Sequence, residues 1–427
     1  MIRRLLPASA WLLILASFGC GPKPTPTAPP SGSAVPTTET TATTKATTTT
    51  PVVPLPKLDP KVTITPEEKA AETAVEKYIT SIGGSFVYNV SHVGANRGRL
   101  TVAKFTGTEA TPYDSSRVEP AKMAGAKFLY RLDFSGATNV DKALANVSQL
   151  PQITDLVLAY SDVSEAGLKA VAALPNLIEL DLTHVKKITP LGLLAVAAAP
   201  KLERLILSES NVKDDGLLVL GDARNLTVLK LDQTAVTCSG LAKIFEEWPK
   251  LVELDLHETK LKDDGLVAVA AVKGLQILSL RGTAITDDGL RTLRNLSKLQ
   301  KLDLGETANL TGSGVKELAD NTRLETINLD GGGLSDEGMK GVAQLRGVRI
   351  LYLQKTQITD AGISLLATPR GLEELTIEET AATNASVVKV ASEAKALRIV
   401  SVRKTKVTKG VVFELARIAP NLMVSFE

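Results

Sequence analysis

The chain has few cysteines and histidines, the residues from which disulfide frameworks and most metal sites are built. Among its 427 residues there are two cysteines and three histidines. Two cysteines allow one disulfide at most, so the fold has to be stabilised by its core. The histidines His92, His184 and His257 lie far apart in the sequence, and no Cys/His spacing matches that of a zinc cluster. The sequence therefore predicts neither a metal ion nor a cofactor.

The chain also lacks an excess of either charge. It carries 49 basic and 47 acidic residues, a formal net charge of +2. A protein that is held on nucleic acid or on an anionic surface by bulk electrostatics needs a clear basic excess. We therefore expect no nucleic-acid partner.

No apolar run near the start is long enough to cross a membrane, which takes about 20 residues. Arg3 and Arg4 precede a short apolar run at 10–18, and Cys20 follows directly after a glycine. A basic start, a short apolar stretch and small residues at its end indicate a secretory signal. Residues 1–19 resemble the signal peptide of bacterial lipoproteins. The resemblance implies lipidation at Cys20 and a location in the cell envelope, whereas an unlipidated chain would be secreted.

Residues 20–57 are rich in proline and threonine and hold too little apolar surface to build a core. We interpret them as a disordered tether between the lipid anchor and the folded part. By the resemblance to lipoproteins, Gly21 in place of a retaining Asp implies the outer membrane, or otherwise the periplasm.

One pattern recurs every 24 or 25 residues from Phe128 to the end of the sequence. It is clearest in two consecutive copies, LVELDLHETKLKDDGLVAVAAVKG at 251–274 and LQILSLRGTAITDDGLRTLRNLSK at 275–298. A repeat of this length predicts a solenoid, in which each unit buries its apolar face against its neighbours. The copies begin at Phe128, Ile153, Leu177, Leu202, Leu226, Leu251, Leu275, Leu299, Leu324, Val348, Leu372, Leu397 and, truncated, Leu422.

Each copy predicts a short strand followed by a short helix. Leu254 and Leu256 alternate with polar residues, as in a strand with one buried face. In the second half a Thr or Ser precedes acidic residues and an apolar stripe, and we interpret it as a helix N-cap. Strands pack about 4.8 Å apart and helices roughly 8–10 Å apart, so the stack has to curve with its sheet inside. The N-cap candidates include Thr189, Thr286, Ser335 and Thr359.

The units L-x-x-L-x-L-x-x-T-x-I-T-D-x-G-L resemble those of the leucine-rich repeat proteins, most closely the ribonuclease-inhibitor-like class. The resemblance covers residues 128–427, with a degenerate unit at 100–107. It implies an α/β horseshoe with a parallel sheet on the concave face, helices on the convex face and a non-catalytic, protein-binding function. Many members carry Asn or Cys after the strand. This chain has Thr there, and we expect its hydroxyl to bond the backbone of the neighbouring turn.

The solenoid is expected to be closed at its start and open at its end. Residues 58–127 are predicted to form an N-terminal helical cap and a degenerate first repeat. Thr65 and Glu68 make a capping box there, directly before the apolar face of a helix. At the other end, the strand that begins at Leu422 leaves a bare sheet edge, which allows a weak edge-to-edge dimer.

Polar residues on the concave face are the candidate binding site. Residues at the same position of successive repeats lie side by side across the sheet, and we call each such row a column. The columns are most polar in the central repeats. A tyrosine and an arginine among them are of the types that most often dominate binding at interfaces. A protein partner with a basic or mixed patch is predicted to bind Asp232, Glu253, Asp255, His257, Arg281, Asp303, Asp330, Tyr352 and Gln354.

Three features have a chemical interpretation as well. Asp232, His257 and Ser279 carry the groups of a nucleophilic triad, but a flat sheet offers no water-excluding pocket or oxyanion site. Gly331-Gly332-Gly333 lacks the Lys-Ser/Thr of a phosphate loop, so we interpret it as a flexible loop. Cys238 is placed in a first helical turn as an inert thiol. We predict no enzyme. The alternatives are a hydrolase or carbohydrate-acting enzyme in the central groove, and a cytosolic adaptor of a degradation complex.

Overall fold

The computed structural model describes residues 65–88, 99–367 and 371–426. The predicted signal peptide, Cys20 and the tether lie outside these residues, as does His92. Within the described part of the chain, no helix combines the length and the apolar character that a membrane span requires.

One sheet of 15 strands runs through the described residues. Its first strand is antiparallel to the second, and every later strand is parallel to the one before it. Adjacent coils therefore pair in register, as the repeat predicts. The strands are β1 (Ser85–Tyr88), β2 (Leu100–Lys104), β3 (Arg131–Asp133), β4 (Asp155–Val157), β5 (Glu179–Asp181), β6 (Arg204–Ile206), β7 (Val228–Lys230), β8 (Glu253–Asp255), β9 (Ile277–Ser279), β10 (Lys301–Asp303), β11 (Thr326–Asn328), β12 (Ile350–Tyr352), β13 (Glu374–Thr376), β14 (Ile399–Ser401) and β15 (Met423–Ser425).

Short helices form the convex side of the horseshoe, and the core lies between them and the sheet. Leu254, Leu256 and Leu266 of one coil are fully buried there. The α-helices are α1 (Pro66–Ser81), α2 (Val140–Leu144), α3 (Glu165–Val171), α4 (Pro190–Ala197), α5 (Asp214–Val219), α6 (Ala242–Phe245), α7 (Asp263–Val269), α8 (Asp336–Val342), α9 (Asp360–Ser364), α10 (Asn384–Glu393) and α11 (Val411–Ile418). The 3-10 helices are Ser115–Arg117, Pro120–Met123, Val147–Gln149, Leu220–Asp222, Gly289–Asn295, Val315–Leu318 and Leu365–Ala367.

Most of the predicted helix N-caps are confirmed. Thr65 forms the capping box with Glu68 at the start of α1, and Thr189 and Thr359 accept backbone N–H groups of α4 and α9. Ser335 begins α8 without a side-chain hydrogen bond. The prediction for Thr286 is wrong: its coil contains the 3-10 helix Gly289–Asn295, which no side chain caps.

The helix α1 covers the first coil, as expected of a cap. It packs on β1 and β2, and its Val75 and Ile79 are buried there. The degenerate unit predicted near residue 100 is present as β2, which pairs in parallel with β3. At the opposite end of the sheet, β15 pairs only with β14 among the described residues.

The threonine after each strand bonds differently from the prediction. Its hydroxyl donates to a carbonyl of its own coil, three residues back, at 2.5–2.7 Å. The expected bond to a neighbouring coil occurs at Thr307, whose hydroxyl lies 3.4 Å from the Leu280 carbonyl. Elsewhere, because the turn is tight, the carbonyl three residues back is closer to the hydroxyl than any carbonyl of the neighbouring coil. The threonines that donate to it are Thr234, Thr259, Thr283, Thr356, Thr380 and Thr405.

A left-handed residue precedes each of these turns. Gln233, Glu258 and Glu306 have φ between 52° and 55°, and Gly331 has a φ of 62° at the same place in its coil. Gly331-Gly332-Gly333 therefore forms a regular turn of the solenoid, at the position of the threonine turns, and its flexibility stays a prediction. The N–H of Gly331 continues the ladder by donating to the Gln354 carbonyl at 2.9 Å.

An aspartate at the start of one helix binds the start of the next coil. Asp263 accepts the N–H of Thr286 at 2.8 Å and its hydroxyl at 2.6 Å. A Cβ on Gly289 would lie 2.2 Å from Asp263 Oδ1, so only glycine leaves room for that carboxylate. We call this arrangement the Asp–Thr ladder. It recurs between Asp141 and Ser164, Asp214 and Thr237, Asp287 and Thr311, Asp336 and Thr359, and Asp360 and Thr383.

Removal of one ladder carboxylate is expected to destabilise the solenoid. Asp263→Ala leaves two donors of Thr286 without their acceptor, and a hydrogen bond to a charged group is worth about 1.5–3 kcal/mol. Urea denaturation should show a loss of that order, whereas Asp288→Ala, at an exposed acid of the next coil, should change little.

The glycine supplies a second arm of the same test. Gly289→Ala should destabilise the natural chain by displacing the Asp263 carboxylate, and should cost less when combined with Asp263→Ala. Equal costs in the two backgrounds would show that the glycine is not there to accommodate the carboxylate.

Candidate functional site on the concave wall

The predicted columns of the concave wall are present in the structure. Asp255 of β8 pairs with Lys230 of β7 on one side and with Ser279 of β9 on the other. Ser279 pairs in turn with Asp303 of β10. The side chains of adjacent coils therefore lie side by side across the centre of the sheet.

Four of the nine predicted binding residues are much less exposed than expected. Glu253, Asp255, Asp303 and Asp330 have exposed fractions of 3%, 9%, 4% and 6%. Strands about 4.8 Å apart let neighbouring side chains cover one another, so these carboxylates support the wall more than they form its surface. The five that remain partly exposed are Asp232, His257, Arg281, Tyr352 and Gln354.

Opposite charges pair across neighbouring strands around Lys230. Its ammonium lies 3.3 Å from Glu253 Oε1 and 3.9 Å from Asp255 Oδ2. His257, in contrast, bonds within its own coil, with Nδ1 3.0 Å from Asp255 Oδ1. Burial opposes the charged imidazole, yet the hydrogen bond and the charge of Asp255 raise the pKa of His257 above its usual value.

Arg281 and Asp330 meet across two coils. Arg281 Nη1 donates to Asp330 Oδ1 at 2.6 Å, and Nη2 lies 2.7 Å from Glu306 Oε1. Gly305 separates the pair, and a Cβ there would lie 2.1 Å from Asp330 Oδ1 and 2.3 Å from Arg281 Nη1. Gln354 Nε2 donates to the other oxygen of Asp330 at 2.9 Å. This set of five residues, which we call the Arg281 network, fixes the arginine on the wall.

Two buried polar atoms beside this network have no hydrogen-bond partner within the described residues: Ser279 Oγ and Asp303 Oδ2. Burial raises the pKa of Asp303 to about 6, although Gly305 N–H donates to its Oδ1. Ser279 Oγ makes no hydrogen bond to His257, and His257 is held by Asp255 rather than Asp232. The three triad candidates are therefore not connected in the order that nucleophilic catalysis requires.

The structure brings together a group that the sequence interpretation missed. Asp232, Asp255 and His257 each offer a ligand atom, and the three atoms lie within 4.8 Å of one another. Ser208 Oγ donates to Asp232 Oδ1 at 2.5 Å. The spacing of the repeats predicts that these residues are neighbours on adjacent strands. A search for Cys/His spacing does not detect a site that has only one histidine.

The position predicted for Cys238 is wrong. Its φ is 58°, and α6 begins only at Ala242, so the thiol is not in a first helical turn. The side chain is fully buried, and burial raises its pKa, with a smaller contribution from the charge of Asp214. A buried thiol of raised pKa has little thiolate with which to react.

Replacement of Asp303 should make stability depend on pH in a defined direction. The unfolded carboxyl ionises near its ordinary pKa of 3.8, whereas the folded one keeps its proton to about 6. Its contribution is therefore largest below pH 4 and is lost as the pH rises to about 6. Asp303→Asn cannot ionise and should be more stable than the natural chain at pH 7, by about 1–3 kcal/mol. Urea denaturation from pH 4 to pH 8 measures this difference.

The comparison is between variants at each pH, so pH effects of other groups cancel. Asp288→Asn, at an exposed acid, should track the natural chain. A constant difference between Asp303→Asn and the natural chain from pH 4 to pH 8 would contradict the buried, protonated state.

Gly305→Ala should separate Arg281 from Asp330 without unfolding the coil. The two atoms it meets are at the ends of flexible side chains, which can move away. The expected loss in the free energy of unfolding is about 1.5–3 kcal/mol, the worth of a hydrogen bond to a charged group. Asp330→Asn should then cost less in the Gly305→Ala background than in the natural chain. Gly221→Ala, where the added Cβ meets nothing closer than 3.5 Å, is the control and should change little.

Comparison with known proteins agrees with the fold. A family model described as Leucine Rich repeat matches residues 275–293. None of the curated proteins compared with the chain matches it. An internalin from Listeria monocytogenes superposes with a TM-score of 0.56 at 18% identity, over 85% of this chain and 95% of that one. A leucine-rich repeat protein from Leptospira interrogans gives 0.47 at 17% identity, over 72% and 93%. The fold of the chain is therefore that of leucine-rich repeat proteins, a horseshoe of parallel strands and short helices.

Proposed function

We propose that the chain is a non-catalytic scaffold that binds a protein partner through the centre of its concave wall. The observation that carries the proposal is the Arg281 network. Its guanidinium is partly exposed, yet two carboxylates fix its direction. An arginine that is ordered before binding loses less conformational freedom on forming an interface.

The neighbouring exposed groups favour a partner surface over a small ligand. Tyr352 and Gln354 lie beside the network on the next coil. Tyrosine and arginine are the residues whose truncation most often weakens a protein interface. A regular wall of parallel strands also offers an area of the size that stable protein interfaces use, without a need to rearrange.

The charge of the wall favours a partner with a basic or mixed patch. Asp232 is partly exposed, and Glu258 is exposed at the rim. The two nearest cations, Lys230 and Arg281, are already paired with carboxylates. The acidic groups at the rim are therefore the ones left to attract a partner.

Binding should depend on the wall and not on the convex side. With the full chain as bait, replacement of both Arg281 and Tyr352 by alanine should weaken the partner's affinity at least tenfold, on the order of 1.4 kcal/mol or more. Arg291→Ala removes an exposed arginine from the convex 3-10 helix and should leave affinity unchanged. Surface plasmon resonance on the captured partner gives both values. Equal affinity of the two variants would place the interface elsewhere.

A hydrolase or carbohydrate-acting enzyme is the alternative function, and it is tested separately. A broad hydrolase screen on the natural chain and on His257→Ala should find no activity that depends on His257. A reproducible activity that the variant loses would contradict the non-catalytic proposal.

We also propose that a lipid on Cys20 anchors the chain outside the cytoplasm, in the cell envelope. The support is the sequence of the first 20 residues, because these lie outside the described part of the structure. Labelled palmitate should be incorporated into the natural chain and not into Cys20→Ala. Incorporation into both would contradict lipidation at Cys20, and its absence from both would favour secretion.

A weak dimer through β15 remains a further proposal. The strand lies at an edge of the sheet, and its Met423 is 61% exposed. Sedimentation of the chain with Val424→Pro, which disturbs edge pairing, should then give less dimer than the natural chain. Two equal distributions would contradict an edge-to-edge dimer.

A further inference from the structure

Three side chains of the concave wall converge on one another. Asp232 follows β7, Asp255 ends β8 and His257 follows it, so the register of two adjacent strands brings them together. One carboxylate oxygen from each aspartate and one imidazole nitrogen lie within 4.8 Å of one another. The group is partly exposed at Asp232 and His257, which leaves it open to an ion from solution.

An independent observation points to the same place. Ser279 is paired with Asp255 in the sheet and faces the same side. Its hydroxyl oxygen has no hydrogen-bond partner among the described residues, although the side chain is only 5% exposed. Asp303 Oδ2, one strand further on, is equally without a partner and 4% exposed. Buried polar atoms are normally satisfied, so these two atoms are available to a group that binds at this part of the wall.

We propose that Asp232, Asp255 and His257 bind one divalent transition-metal ion on the concave wall. A mixed set of imidazole nitrogen and carboxylate oxygens suits zinc and its first-row neighbours better than magnesium or calcium. Ligand bonds of about 2.0–2.2 Å are reached from the present spacing by small side-chain rotations. Water on the open side of the ion would face Ser279 Oγ and Asp303 Oδ2.

The nearby ammonium group is compatible with this ion. Lys230 Nζ lies 3.9 Å from Asp255 Oδ2, which is a loose contact, and 3.3 Å from Glu253 Oε1. When Asp255 turns to the metal, Lys230 keeps Glu253 as its partner. The expectation from sequence that the chain holds no metal rested on Cys/His spacing, and that criterion does not cover a site with one histidine and two aspartates.

Zinc titration of the full chain by isothermal calorimetry tests the proposal. The natural chain should bind one equivalent, and Asp232→Asn and His257→Ala should each weaken that binding at least tenfold. Asp181→Asn is the matched control, because Asp181 lies in the same column as Asp255 but outside the group. It should bind zinc as the natural chain does. Circular dichroism establishes that each variant is folded.

A gain of ligand tests the geometry without removing any of the three proposed ligands; a thiolate at residue 279 would take the place of the water beside Ser279. Ser279→Cys should tighten zinc binding, and with cobalt it should give the absorption band of a thiolate–metal bond. Three outcomes would overturn the proposal: no zinc binding by the natural chain, equal loss in Asp181→Asn, or a cobalt complex of Ser279→Cys without that band. These outcomes do not decide whether the chain binds a protein partner, because that affinity is measured separately with the variant in which Arg281 and Tyr352 are replaced by alanine.

Discussion

At six junctions two short contacts hold neighbouring coils together, one on either side of the core. On the inside, three-residue strands pair in parallel. On the outside, an aspartate at the start of the helical half of one coil accepts the N–H and the hydroxyl of a Thr or Ser in the turn after the next strand, as Asp263 does from Thr286. Strands of three residues provide few hydrogen bonds of their own. At six junctions the Asp–Thr ladder therefore adds hydrogen bonds to a carboxylate on the convex side, where the curved stack opens most.

The ladder couples three positions of the repeat that the sequence presents as separate. The aspartate of one coil needs the Thr or Ser of the next as its donor. At three of the six pairs it also needs the glycine that follows, because a Cβ at Gly167, Gly289 or Gly362 would lie 2.2–2.4 Å from the carboxylate. This dependence keeps successive coils in one register. A fixed register is what aligns Asp255 with Lys230 and Ser279, and Arg281 with Asp330, so the polar wall is a consequence of the contacts behind it.

Much of the fold could be predicted from the period, because apolar spacing reports directly on which side chains are buried. The columns were predicted for the same reason, since the register of a parallel sheet follows from equal repeats. Hydrogen-bond partners could not be predicted, because they depend on distances of a few tenths of an ångström. The Thr259 hydroxyl reaches its own coil instead of its neighbour for that reason, and Cys238 takes a left-handed conformation instead of joining a helix.

The candidate site could likewise be predicted only in part. The residues at its centre were predicted from the columns, but their exposure was overestimated. The column of a residue determines which face of the sheet its side chain is on. It does not determine how much of that side chain its neighbours cover. The sequence around Gly305 does not indicate that this glycine has a role in the site. Its importance appears only when Arg281 and Asp330 are seen to meet where its side chain would be.

Hydrogen exchange at single amides tests the central claim most directly. The N–H groups of Thr237, Thr286, Thr311, Thr359 and Thr383 lie outside the regular strands and helices, and each donates to an aspartate of the preceding coil. If the Asp–Thr ladder holds the coils together, these amides should exchange as slowly as those of the central strands. Exchange at the rate of an unstructured peptide would show that the coils stack without it.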